Sequence, residues 1–131
     1  MASKGISTPL ELRDALPAGA DLRTLRHAIV DLADAVLIAD RHGRYVAVNE
    51  AASQLTRYAA SELLKKALPD LTGSPDASVS EVLWRAFLDQ RSQTGEFAIQ
   101  RKDGSTVRVR YEALANVIPG YHASFLKRIP E

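Results

Sequence analysis

The chain has 131 residues, 17 basic against 16 acidic, and no cysteine, a size that suits one domain around a single core. Disulfides are excluded outright, and a net charge of +1 spread along the chain offers no concentrated basic face of the kind nucleic-acid binding needs. No apolar run approaches the roughly 20 residues of a membrane span, and Met1 to Gly5 lack the apolar middle of a signal peptide; the expected setting is the cytoplasm.

Ser7-Thr8-Pro9-Leu10-Glu11 reads as a helix start. Thr8 caps, Pro9 suits the first helical position, and Glu11, three residues after the cap, can bond back. Pro17 and Gly19 stop that helix. Asp21 caps a second one, expected to run to about Ala33, whose Leu22, Leu25, Ile29 and Leu32 lie along one stripe. Such a stripe can pack on the chain's own sheet or on the same stripe of a second chain, and fewer than two heptads do not separate the two. The expectation is a leader over residues 1–33, serving as a homodimer seam, ahead of a domain over residues 34–131.

Val36 to Ala39 and Tyr45 to Val48 are short strands around the Asp40-Arg41-His42-Gly43 turn. Asn49 caps a helix over Glu50–Thr56, a short helical turn follows over Ser61–Leu68, Pro69 closes it, and Thr72 to Asp76 is a loop. A longer helix is expected from about Ser78 to Gln90, with Val79, Val82, Leu83 and Phe87 inward. Phe97 and Ile99 belong to a strand ending at the Asp103-Gly104 turn. Val107, Val109, Tyr111 and Ala113 then alternate with Arg108, Arg110 and Glu112. Pro119-Gly120 turns the chain into a last strand, Tyr121–Ile129. Two strand clusters with short antiparallel connections, separated by helices, make an α+β domain.

The stretch Ala35 to Asn49, AVLIADRHGRYVAVN, resembles the opening of PAS domains, and Asn49-Glu50-Ala51-Ala52-Ser53-Gln54-Leu55-Thr56, Tyr58 and Glu62-Leu63-Leu64 continue the likeness. Arg101-Lys102-Asp103-Gly104-Ser105 is similar to that family's charged hairpin between its third and fourth strands. The resemblance covers residues 34 to 129. It implies a five-stranded antiparallel sheet with short helices on one face and an N-terminal leader helix, and a sensory role. The chain departs from the pattern where glycine gives way to Arg57 and Lys65, where Ala59 takes a helix-cap position, and where a closing Asp-Ile-Thr is Arg128-Ile129-Pro130.

The resemblance also implies a cavity between sheet and helices, used by different members for haem, flavin, small organic molecules or nothing. Without a thiol, neither a flavin adduct nor a thioester-linked chromophore can form. Haem-binding members carry a histidine on the long helix, and Ser78–Gln90 has none. The residues name no cofactor. No set of converging metal ligands is visible, nor any hydrolase or phosphate-loop motif, so catalysis is not expected. The candidate pocket lining is Tyr58, Trp84, Val107, Val109, Tyr111 and His122; for the aromatic members core filling is the commoner role. The expected function is a signal-transduction module binding a small non-haem ligand or a protein partner, as the input of a signalling or transcription-regulatory system. The alternative is a ligand-free dimerisation or interaction scaffold.

Overall fold

The computed structural model describes residues 6–67, 70–71 and 85–130. In chain order these hold α1 (Pro9–Ala15), α2 (Leu22–Ile29), β1 (Ala35–Ala39), β2 (Tyr45–Val48), α3 (Glu50–Thr56), α4 (Ala60–Leu63), β3 (Ser92–Gln100), β4 (Thr106–Ile118) and β5 (Tyr121–Arg128). Residues 85–90 are also helical. The expected Pro69 break, the Thr72–Asp76 loop and the first part of the Ser78–Gln90 helix, with Val79, Val82, Leu83 and Trp84, lie outside the described residues.

Side chains start the helices where the sequence places caps. Thr8 Oγ1 accepts from the Glu11 N–H, and Asp21 Oδ1 from the Thr24 N–H, supplying partners for orphan donors of the first turn. Glu11 bonds back one residue earlier than a standard capping box requires, accepting from the Ser7 N–H. These donors hold the Glu11 and Asp21 carboxyls below their ordinary pKa values. α2 ends at Ile29 and not near Ala33, because Asn49 captures the Ile29 and Asp34 carbonyls and the chain turns into β1. At α4 the Glu62 carboxylate accepts from the Ala59 N–H, so the helix begins without a capping side chain on Ala59. The turn expected to reach Leu68 stops early, since the Lys66 carbonyl is taken by the Tyr45 N–H and Ala67 bridges to Arg44.

The five strands form one antiparallel sheet in the order β2-β1-β5-β4-β3. β1 sits inside it and is buried along its whole length, because both faces of the sheet are covered there. One face carries α1 and α2: Leu12, Leu25, Ile29 and Leu32 pack with Val36, Ile38, Val117, Ala123 and Phe125. The opposite face carries α3 and α4: Ala52 and Leu63 pack with Ala35, Leu37, Ala39, Ile99, Val107, Val109 and Leu126. Of the two partners expected for the leader stripe, its own sheet is the one it meets, and Leu25 and Ile29 are 0% and 1% exposed. The leader contributes two helices to the domain's core.

Arg57, the C-cap of α3, lies in the left-handed region at φ 65°, a conformation that favours glycine. Its guanidinium pairs with the Asp103 carboxylate across the β3–β4 turn, and Lys102 Nζ reaches Glu62 Oε2 at 2.7 Å. The Lys102 N–H also donates to the Thr56 carbonyl. The end of α3 is thus fastened to the β3–β4 hairpin.

Candidate functional site

The sheet face under α3 and α4 can be laid out from the strand register, since residues directly opposite one another share a face. Tyr45, Ala39 and His122 form one cross-strand row, and Val48, Leu37, Ser124, Ala113 and Gln93 the next. Ala35, Leu126, Tyr111 and Gly95 form a third, followed by Val109 with Phe97 and then Val107 with Ile99. The last two rows are closed by branched side chains, with Val109 and Ile99 fully buried. The second row differs beyond the buried Leu37: Ser124, Ala113 and Gln93 are small or polar, and each is only half-buried.

The expected alternation of β4 holds. Val107 and Val109 are buried on this face, Tyr111 packs against the same cluster, and Arg108 and Arg110 are exposed on the other side. The Tyr111 ring lies across β3 over Gly95, where a Cβ would stand 2.9 Å from it, and meets Phe97 edge-on at 5.4 Å between centroids. Glycine at position 95 is what lets the ring lie there. Partial burial raises the Tyr111 pKa. Tyr58 reaches the same cluster from the α3–α4 link, half-buried, with Lys66 Nζ 4.4 Å above its ring, a cation–π contact that places it at the rim. Trp84 is outside the described residues.

His122 stands at the other end of the face, buried, beside Ala39 and edge-on to Phe87 at 5.9 Å. The pairing of β4 and β5 shifts between Leu114 and Ile118, with Asn116 left-handed at φ 57°. The Asn116 N–H donates to His122 Nδ1 at 2.9 Å. With Nδ1 accepting, the neutral ring carries its proton on Nε2. Burial lowers the His122 pKa, against a smaller upward pull from the Asp40 carboxylate. The unfolded histidine takes up its proton near pH 6.5 while the folded one resists it. Stability should therefore fall as pH drops through that value, by at most about 1.4 kcal/mol per pH unit for one proton. In thermal melts from pH 7.5 to 5.5, His122→Asn should show a shallower decline than the parent, because an amide oxygen can take the same N–H and does not titrate. Parallel declines would remove His122 as the titrating group.

Several residues of this face carry no sequence signal of their own. Ser124 and Gln93 acquire a place only through pairings between strands distant in sequence. Tyr45, 6% exposed, reads in sequence as an ordinary strand residue; burial and the nearby Asp70 carboxylate push its phenol pKa up. Among the described residues, no three His, Asp or Glu side chains are grouped to hold a metal ion. No described helix is long and apolar enough to cross a membrane.

Comparison with known proteins agrees with this geometry. No curated protein matches the sequence. A domain of a sensory box sensor histidine kinase/response regulator from Geobacter sulfurreducens has the same fold at a TM-score of 0.70 and 19% identity, over 80% of this chain and 91% of that one. The PAS domain of an HTR-like protein from Haloarcula marismortui matches at 0.70 and 21%, over 82% and 90%. The PAS domain of a LuxR-family transcriptional regulator from Burkholderia thailandensis, solved in complex with ethanol, matches at 0.64 and 13%, over 84% and 98%. At such identities the likeness is one of fold. The family model described as PAS fold matches residues 23–117, well over half of the sequence, and the chain belongs to the PAS family.

Proposed function

We propose that this chain is a non-catalytic, cytoplasmic sensory module that takes up a small non-haem molecule against the α3/α4 face of its sheet. It serves as the input of a signalling or transcription-regulatory system. The observation that carries the reading is the row Ser124, Ala113 and Gln93: half-buried small and polar side chains next to the His122 row of a face whose other end is closed by Val107, Val109 and Ile99. Pockets for small molecules combine apolar walls with a few polar groups of this kind. Tyr58, Val107, Val109, Tyr111 and His122 would line the site, with Trp84 as a further wall. Neighbours of the same fold from sensor kinases and a transcriptional regulator, one of them holding ethanol, support the role. Homodimerisation through the leader belongs to the same proposal. With Leu25, Ile29 and Leu32 in the core, the large apolar side chains the leader exposes among the described residues are Leu10 and Val30, at 49% and 62%.

Thermal melts of Ser124→Leu against the parent test the open floor, each protein stripped of bound molecules. If the Ser124 row borders free space, the leucine is accommodated and the melting temperature stays level or rises. A close-packed interior, as the scaffold alternative requires, would make the same change cost about 1–3 kcal/mol.

A further inference from the structure

β2 is too short to look irregular, yet its pairing with β1 skips a residue: Ile38 faces Ala47 while Ala39 faces Tyr45. Val46 is the extra residue of a β-bulge. Its effect is on which way the neighbours point. Without it, Tyr45 would fall on the same face as Ala47, under the leader helices. With it, Tyr45 joins Leu63 and Leu71 on the opposite face, in the interior of the candidate site. The Val46 carbonyl accepts from both Arg26 Nε and Arg26 Nη2, at 3.3 and 3.1 Å. Arg26 is on α2. The connection runs onward, because the Tyr45 N–H donates to the Lys66 carbonyl beyond α4. Asn49 ties the end of the same helix to the start of α3, through the Ile29 carbonyl and the Ala52 N–H.

We propose that Arg26 and the Val46 bulge form a latch that couples docking of the leader helix α2 to the inward position of Tyr45. While α2 is docked, the guanidinium satisfies the bulge carbonyl and the bulge holds the phenol inside. When α2 lifts, the carbonyl loses its donors, the bulge loses its advantage over regular pairing, and Tyr45 leaves the interior face. A bulged and a regular β2 are the two states that such coupling needs. The proposal does not depend on a ligand; it concerns two sites of one chain that bias the same element.

The test uses the full chain and two readouts: amide hydrogen exchange, and nitration of individual tyrosines by tetranitromethane, read by peptide mass spectrometry. Arg26→Met keeps the aliphatic stem and removes the donors. It should raise Tyr45 nitration and Leu25–Ile29 exchange together, by about tenfold each, a shift expected when one state loses a specific contact, with β4–β5 amides unchanged. Arg26→Lys, which retains one donor, should fall between. Because coupling is reciprocal, Tyr45→Ala should speed exchange at Leu25–Ile29 by a comparable factor. Faster α2 exchange in Arg26→Met with Tyr45 still protected would overturn the proposal. Uniformly faster exchange throughout the sheet would overturn it too, since it reports general destabilisation.

Discussion

Replacing Asn49 by alanine should lower the melting temperature by roughly 10–20 °C, an estimate of about 3–5 kcal/mol built from the groups it leaves behind. The Asn49 side chain, in a residue 4% exposed, uses its full hydrogen-bonding capacity. Oδ1 accepts from the Val36 and Ala52 N–H groups, and Nδ2 donates to the Ile29 and Asp34 carbonyls. Loss of the helix cap alone costs about 1 kcal/mol, and each buried group left without a partner adds about 1–3 kcal/mol. Asn49→Ser should recover only the cap. Asn49→Asp keeps both acceptor contacts but sets a carboxylate against two carbonyls, so at neutral pH it should fare little better than alanine. A melting temperature within 2 °C of the parent for Asn49→Ala, a margin well under 1 kcal/mol, would show that this junction does not hold the leader, β1 and α3 together.

Removal of residues 1–33 should abolish cooperative unfolding. Leu12, Leu25, Ile29 and Leu32 are buried against β1, β4 and β5. Each buried leucine or isoleucine contributes roughly 1.5–3 kcal/mol, so the four sum to about 6–12 kcal/mol, as large as the whole stability of a typical domain, about 5–15 kcal/mol. The truncated chain would also expose Val36, Ile38, Val117, Ala123 and Phe125 as one apolar sheet face. The expected product binds a hydrophobic dye, aggregates, and gives a broad melt. A sharply melting, monodisperse fragment would show that the sheet is stable without its leader. Leu25→Ala in the full chain is the milder version and should cost about 2–5 kcal/mol.

What could be read from the sequence was local or periodic. The caps of α1, α2 and α3 need only residues within one turn, and Thr8, Asp21 and Asn49 sit where they act. β4 was legible because solvent reaches its outer face and the code alternates; β1, covered on both faces, reads as a strand without showing which side chain goes where. The apolar stripe of α2 shows that something covers it and not what, since a sheet and a second helix bury the same pattern. The start of β3 is not legible in the sequence. Ser92 to Glu96 have no apolar alternation, and it is pairing with Arg110 to Leu114 that makes them strand. The Val46 bulge has no glycine or asparagine to announce it. The row Ser124, Ala113 and Gln93 arises from register across three strands, which no single window of sequence contains.

Native mass spectrometry of the folded full chain, purified from the cell without stripping, tests ligand uptake most directly and reports subunit count in the same spectrum. The proposed function predicts a population heavier than the bare chain by the mass of a small molecule, with no visible absorption band from haem or a covalent chromophore, and loss of that excess in Ser124→Leu. It also predicts a dimer that Val30→Glu dissociates. A bare, ligand-free mass for both the parent and Ser124→Leu, together with a melting penalty of about 1–3 kcal/mol for the leucine, would contradict the open floor and leave a filled interaction scaffold.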